Sequence, residues 1–243
     1  MLKLLALLLS GANLGKLFTT GGTMLLSVVL YAFIYGWRYA VGFVALLFVH
    51  EMGHFIAARK RGLNVGWPTF IPFVGAWVAL KDMPHNAETE AYVGLGGPLL
   101  GTVGALLAYV MARSWDANWL LAVAYSGFFL NLFNLIPLSP FDGGRITAVL
   151  SPRIWLLGVP VLIGLFMMRP SPLLILVAVL AAPQVWKAIT YRKDSPEAQT
   201  YYAVSTRIKI EYGACYLILL VFLAMMTQNV HEMLQSVRTV RGT

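Results

Sequence analysis

The residues best suited to chemistry are His50, Glu51 and His54, which form the pattern H-E-x-x-H inside the apolar run 39–58. Two histidines four residues apart lie on the same face of a helix, so both imidazoles can bind one divalent metal ion. Zinc is the usual occupant of such a pair, and the intervening glutamate then lies where a general base is needed. The pattern predicts a hydrolytic metal site with His50 and His54 as ligands and Glu51 as the base.

The composition places this motif in a membrane protein. Of the 243 residues, 59% are hydrophobic and only 12% are charged, and the mean hydropathy is +0.73. A soluble domain carries about twice that share of charge. Ionisable groups are costly in hydrocarbon and usually mark function, so the three side chains in an apolar helix strengthen the prediction of a site.

The elements that must position the motif are predicted to be helices. We expect an all-α polytopic membrane protein of about six or seven transmembrane helices, forming one membrane-embedded domain over residues 1–243. Glycine and proline interrupt residues 67–81, which predicts a small membrane-associated β-hairpin after the zinc-binding helix. Such backbone is tolerated at membrane depth only against protein or a wet cavity, so the hairpin is expected beside the site. Residues 1–20 are expected to form an interfacial lead.

The net charge of +8 does not indicate nucleic-acid binding, because the basic residues lie between apolar runs instead of on one polar segment. This distribution follows the positive-inside rule and places Arg59, Lys60 and Arg61 at the cytoplasmic end of the metal helix. At the helical rise per residue, the metal lies roughly 8–14 Å from that end. A lipid bilayer is the expected environment, with a bacterial plasma membrane favoured over an organellar one. Cys215 is the only cysteine, which excludes an intramolecular disulfide and a cysteine metal cluster.

Two histidines do not complete a hydrolytic zinc site, which typically has three protein ligands and one open position. Asp142 is the best candidate for the third ligand, because it follows a proline-interrupted helix end on the same side of the membrane. Glu88 and Glu90 are more typical of charges at headgroup level. His85 is expected in a solvated loop, and His231 is expected at the opposite end of its helix.

At this point the sequence resembles the site-2 protease family of intramembrane zinc metalloproteases. Three motifs carry the resemblance, in the family's order: H-E-x-x-H at His50, Glu51 and His54, then G-x-x-x-(N/S/G) at Gly97 and Gly101, then N-x-x-P-x-x-P-x-D-G at Asn134, Pro137, Pro140, Asp142 and Gly143. The resemblance implies one zinc ion held by His50, His54 and Asp142, with Glu51 as general base. It implies that Asn134 orients the substrate or stabilises the oxyanion. The catalytic core is then about residues 39–145.

The resemblance implies a metalloendopeptidase that cleaves peptide bonds in or near transmembrane segments, in regulated intramembrane proteolysis or in signal-peptide clearance. The expected substrate is a transmembrane protein or peptide, and the sequence indicates no oligomeric state. Family members often contain a PDZ or CBS domain. Neither fits this length, so substrate selection is expected to rest on the membrane core or on partner proteins. The main alternative is a membrane metal-binding or transport protein, which would repeat histidines and acidic residues along several spans. A catalytically inactive scaffold is a second alternative, but it would not need Glu51.

Overall fold

Long apolar helices account for most of the chain. The computed structural model describes residues 11–73 and 75–241. Its elements, in chain order, are α1 (Gly11–Tyr35), α2 (Trp37–Lys60), β1 (Thr69–Ile71), β2 (Gly75–Trp77), α3 (Ala87–Ser114), α4 (Asn118–Asn134), α5 (Asp142–Thr147), a 3-10 helix (Pro152–Leu157), α6 (Gly158–Met168), α7 (Pro172–Thr190), α8 (Pro196–Thr200) and α9 (Thr206–Arg241).

Four helices of the described chain are long and apolar enough to cross a membrane: Trp37–Lys60, Ala87–Ser114, Pro172–Thr190 and Thr206–Val237. Two shorter apolar helical stretches, Thr20–Tyr35 and Pro152–Met168, accompany them. The prediction of an all-α polytopic membrane protein with one small hairpin is confirmed. How many helices cross the bilayer stays a prediction. The predicted interfacial lead falls partly outside the described residues, and its second half, residues 11–20, is the first part of α1.

Helices α2 and α3 approach each other backbone to backbone. A Cβ atom added to Gly53 would lie 2.1 Å from the carbonyl oxygen of Gly96, so neither helix can carry a side chain there. Small residues allow such close contact between membrane helices. On α3, Gly97 lies against His54 of α2, whereas Gly101 lies against Asn131 of α4. These two glycines of α3 therefore allow close contact with two neighbouring helices, α2 and α4.

The hairpin forms as predicted and is hydrogen-bonded to α1. Strands β1 and β2 are antiparallel, with Phe70 opposite Ala76. The N–H of Phe70 donates to the Thr23 hydroxyl at 3.3 Å, and the N–H of Phe73 donates to the Tyr31 hydroxyl at 3.2 Å. The Phe70 ring is buried in a cluster formed with α1 and α2. These contacts hold the hairpin against the helix that carries the two histidines.

The second half of the chain closes the other side of the bundle. Helices α6 and α7 form a helical pair, with the turn at residues 169–171. Helix α8 begins at Pro196, after the capping Ser195, and leads to Tyr201, whose hydroxyl donates to Glu90 at 2.7 Å. Burial, and then the Glu90 carboxylate beside it, raise the pKa of Tyr201, so its hydroxyl stays protonated and remains a donor. This contact ties the connection before α9 to the first turns of α3.

Candidate metal centre

Helix α2 places His50 and His54 one turn apart on its buried face. Their side chains belong to residues only 3% and 5% exposed, and their Nε2 atoms lie 3.1 Å from each other. The i and i+4 spacing produces this arrangement directly, because side chains four residues apart stack along one face of a helix. Both predicted histidine ligands therefore meet at one point.

Asp142 reaches the same point from the other end of the sequence. Helix α4 ends at Asn134, and a loop returns the chain so that α5 begins at Asp142. Its Oδ2 atom lies 3.1 Å from the Nε2 atom of His50 and 3.1 Å from that of His54. Gly143 makes this possible, since a Cβ atom there would lie 2.2 Å from the Leu135 carbonyl oxygen. The glycine after the aspartate is needed for a close backbone approach.

The hydrogen bonds behind the two rings determine which ring nitrogens face the site. The Nδ1–H of His54 donates to the Val93 carbonyl oxygen at 2.8 Å. The Nδ1–H of His50 donates to the Asn131 amide oxygen at 2.8 Å. A neutral imidazole with its proton on Nδ1 carries a lone pair on Nε2. Two imidazole lone pairs and one carboxylate oxygen of Asp142 thus converge with no hydrogen between them.

Such a cluster needs a cation, and its dimensions fit zinc. The three ligand atoms lie 3.1 Å from one another, a spacing that zinc bonds of about 2.0–2.2 Å could bridge. Within residues 11–73 and 75–241, His50, His54 and Asp142 are the one group of three or more potential metal ligands. The three residues fit one zinc ion.

Gly97 forms the floor of the site. A Cβ atom at this position would lie 2.2 Å from the Nε2 atom of His54, which is the atom that faces the cluster. Any larger residue would therefore displace the ring from its ligand position. The absence of a side chain at Gly97 is a geometric requirement of the site.

A cavity of about 710 Å³ opens onto the cluster. Glu51, which is 7% exposed, lines this cavity beside the triad formed by His50, His54 and Asp142. In the described chain its carboxylate has no hydrogen bond or ion pair. The other walls are mostly apolar and come from the hairpin, the end of α4 and helix α7; they include Ile71, Ala76, Val78, Leu80, Leu130, Phe133, Leu174, Val177 and Leu180. The site is a polar cluster at the side of an apolar cavity.

Two further polar side chains line this cavity. Asn134, the asparagine of the predicted motif, lies in its wall, and no described side chain or backbone group bonds to its amide. Arg145, which is not among the residues predicted for the site, also lines the cavity. Its position directly after D-G-G was a signal that sequence reasoning did not use for the site. Asn131 was likewise missed, although a polar residue inside an apolar helix usually has a function.

The other candidates for the third ligand lie elsewhere. Glu88 accepts a hydrogen bond from Arg61 at 3.1 Å, and Glu90 accepts one from Tyr201. His85 is exposed, as expected for a loop histidine. The ring of His231 lies 5.6 Å from that of Tyr125 on α4. None of these four side chains belongs to the cluster in the part of the chain that the structure describes.

Trp155 stabilises the short helix α5, which begins at Asp142. Its indole N–H donates to the Gly144 carbonyl oxygen at 2.8 Å, and the residue is 4% exposed. We expect Trp155→Phe to lower the free energy of unfolding by about 1–3 kcal/mol, because a buried carbonyl loses its strong donor. Denaturant unfolding in detergent measures this change. Trp186→Phe, at a position 68% exposed on α7, is the matched control. Equal effects of the two substitutions would contradict the role given to Trp155.

Comparison with known proteins agrees with this geometry. Residues 38–116, which include both histidines and Gly97, match the sequence profile of peptidase family M50. This match covers about a third of the chain and supports the resemblance predicted from the three motifs.

Two proteins similar to this chain carry names that describe zinc metalloproteases. A zinc metalloprotease of Methanocaldococcus jannaschii is 34% identical over 125 residues, which are 47% of this chain and 36% of that protein. The Mycobacterium tuberculosis protein Rip3, whose name describes a zinc metalloprotease only provisionally, is 33% identical over 44% of this chain and 29% of its own. The aligned part therefore spans about a third of the length of these relatives. A solved site-2 protease structure from Methanocaldococcus jannaschii aligns with 75% of this chain and 87% of its own, at 20% identity and a TM-score of 0.45.

Proposed function

We propose that the chain is an intramembrane zinc metalloendopeptidase that hydrolyses peptide bonds in or near transmembrane segments of membrane proteins. The observation that supports this most strongly is the convergence of His50, His54 and Asp142 at a cavity that also holds the unpaired Glu51. Residues 39–145, which supply all four side chains, are the proposed catalytic core. One zinc ion is the proposed cofactor.

The roles of the side chains follow from their positions. When bound, zinc supplies Lewis acidity, which lowers the pKa of water and polarises a carbonyl group. Glu51 lines the cavity next to the triad, so its carboxylate is placed to accept the proton of the attacking water. Asn134 lines the same cavity with a free amide, which can donate to the substrate carbonyl as charge develops on its oxygen. Arg145 adds a positive charge to the wall.

The hairpin offers a way to hold the substrate in an extended form. The Ala79 carbonyl oxygen accepts from the Gly66 N–H, and the Lys81 N–H donates to the Asn64 carbonyl oxygen, both at 2.9 Å. Alternate residues of an antiparallel strand present their backbone groups to opposite edges, so those of Val78 and Leu80 face the other way. Both residues line the cavity. We infer that an unwound substrate segment adds to this edge as a strand.

Membrane side and biological role extend the proposal. Arg59 and Lys60 are exposed at the end of α2, just beyond His54, and the positive-inside rule makes this end cytoplasmic. The site is thus proposed to lie nearer the cytoplasmic face, in a bacterial plasma membrane. The proposed roles are regulated intramembrane proteolysis or the clearance of signal peptides. The cavity is apolar on most walls, which suits a membrane-spanning substrate.

A membrane metal transporter is the competing function. Transport requires a series of ionisable groups along a path through the bundle. Across residues 11–73 and 75–241 one cluster of potential ligands is found, and Glu51 lies beside it where a general base is needed. These observations favour hydrolysis over transport.

The proposal is tested with purified protein and a panel of single-span membrane proteins in vesicles. Zinc-loaded protein is expected to cut at least one of them inside or near the span, as located by mass spectrometry of the products. Chelator-treated protein is expected to be inactive, and added zinc should restore cleavage. Failure of zinc-loaded, folded protein to cut any member of the panel would count against the function.

Strand addition predicts that substrate unwinding limits the rate. Removing helix-breaking residues from the substrate span, glycine or proline to leucine, is expected to lower kcat/KM about tenfold, because each makes the helix harder to open by about 1–3 kcal/mol. The same substitutions placed outside the cleaved segment provide the control. Unchanged rates with helix-stabilised substrates would argue against strand addition and leave the zinc chemistry untouched.

A further inference from the structure

We propose that Asn131 is a positioning residue for the metal site: it orients the His50 ring and keeps the metal-binding lone pair on Nε2. This inference rests on the proposed function, since it assumes that the triad binds zinc. Asn131 does not touch the cluster itself. It acts through His50, on the side of the ring that faces away from the metal.

The burial of Asn131 calls for an explanation. The residue is 1% exposed and lies on α4, in an otherwise apolar stretch of the helix. A buried amide must have partners for both its oxygen and its nitrogen, because an unpaired polar group away from water is costly. Asn131 has both: the His50 ring at 2.8 Å and the Gly127 carbonyl oxygen at 2.7 Å. Every polar atom of the side chain is thereby engaged.

The order of these partners determines the orientation of each group in turn. The Gly127 carbonyl oxygen can only accept, so it must face the amide nitrogen of Asn131. The amide oxygen of Asn131 then faces His50, and because this oxygen also can only accept, the proton must be on Nδ1 of the ring. The lone pair of His50 is left on Nε2, the atom that meets the cluster.

His54 receives equivalent support from the backbone. Its Nδ1–H donates to the Val93 carbonyl oxygen at 2.8 Å. Each imidazole therefore has one oxygen behind it, supplied by a main-chain carbonyl for His54 and by the Asn131 side chain for His50. Partners of this kind fix the orientation and tautomer of histidine ligands and raise their basicity. Of the two supports, the one for His50 can be removed by substitution.

Gly101 makes room for this arrangement. A Cβ atom at position 101 would lie 2.3 Å from the amide oxygen of Asn131 and 2.8 Å from its nitrogen. An alanine there would push the amide away from His50 while leaving Asn131 in the chain. Gly101 on α3 and Asn131 on α4 therefore act together to orient His50, although Gly101 contacts neither His50 nor the metal position.

The test is the zinc dissociation constant, measured by competition with a chelator on folded protein in detergent. Asn131→Leu is expected to weaken zinc binding about 10–100-fold, the usual effect of losing such a partner. Asn131→Asp keeps an acceptor oxygen at Nδ1–H and is expected to bind zinc about tenfold more tightly than Asn131→Leu. Ser126→Ala is the control on the same helix, since Ser126 bonds to Tyr39 and to the Ala122 carbonyl oxygen instead of a ligand.

Gly101→Ala provides a second route to the same result. It is expected to weaken zinc binding in the direction of Asn131→Leu, and to add no further loss when combined with it, because both act on the same hydrogen bond. It also carries the test if Asn131→Leu does not fold. Wild-type affinity in folded Asn131→Leu, or in folded Gly101→Ala, would overturn the inference.

Binding and cleavage separate this inference from the proposed function. If the wild type binds zinc, Asn131→Leu binds it more weakly and no substrate is cut, the positioning role stands and the protease function fails. If the wild type cuts its substrate and Asn131→Leu retains full zinc affinity, the positioning role fails alone. A wild type that binds no zinc at the triad would overturn both.

Discussion

Replacing Glu51 by glutamine is expected to abolish peptide-bond cleavage and leave zinc binding intact. The side chain lines the cavity beside the triad but is not one of its three ligand residues. Glutamine has nearly the same shape and cannot accept the proton of the attacking water. Loss of a general base costs about 10²–10⁴-fold in rate. Single-turnover cleavage and metal analysis on the same preparation measure both quantities.

Glu88→Gln is the matched control for this substitution. Glu88 is a partly buried glutamate in the first turn of α3, but it pairs with Arg61 and lies outside the metal cluster. Its replacement is expected to leave both cleavage and zinc content near the wild-type level. Full activity of purified Glu51→Gln would exclude Glu51 as the base.

Gly97→Ala is expected to destroy the metal site. The added methyl group would lie 2.2 Å from Nε2 and 2.5 Å from Cε1 of His54. Neither side can yield easily: the ring is held by Val93, and α3 meets α2 through the backbone contact between Gly96 and Gly53. We therefore expect zinc affinity to fall by at least about 100-fold, because one of three ligands is displaced.

The same substitution elsewhere on α3 separates loss of the site from a general packing defect. At Gly104 the nearest atoms to an added Cβ are side-chain carbons of Val49 and Leu46, at 3.1 and 3.2 Å, which can shift slightly. Gly104→Ala is expected to keep wild-type zinc affinity. Chelator competition on both proteins, with helicity checked by circular dichroism, gives the comparison. Equal affinities for the two variants would contradict the role of Gly97.

Local sequence patterns predicted those features that depend only on residues close together in the sequence. The i and i+4 spacing places His50 and His54 on one helix face, as observed. Glycine and proline at 66–75 interrupt helical periodicity, which explains why the hairpin could be recognised. The helix pair turning at residues 169–171 follows from the same kind of signal. Asp142 is separated from His54 by 88 residues, so its selection as the candidate third ligand depended on the predicted topology and on the proline-interrupted helix end before it.

Contacts between helices could not be predicted from local sequence patterns. Periodicity indicates which face of α4 is buried but does not say which helix covers it. The sequence motif drew attention to Asn134, whereas the side chain behind His50 is Asn131, one helical turn earlier. Likewise, the sequence contains the motif at Gly97 and Gly101, but the contact of Gly97 with His54 and of Gly101 with Asn131 depends on how three helices pack together.

We propose that this chain uses its own zinc site to add water to a peptide bond in a membrane-embedded segment. The most direct measurement is cleavage of a single-span substrate in water enriched in oxygen-18, followed by mass spectrometry of the products. The predicted result is one oxygen-18 atom in the newly formed carboxylate, with zinc-loaded wild type and not with Glu51→Gln. Unlabelled product, or the same labelled product from Glu51→Gln, would contradict it.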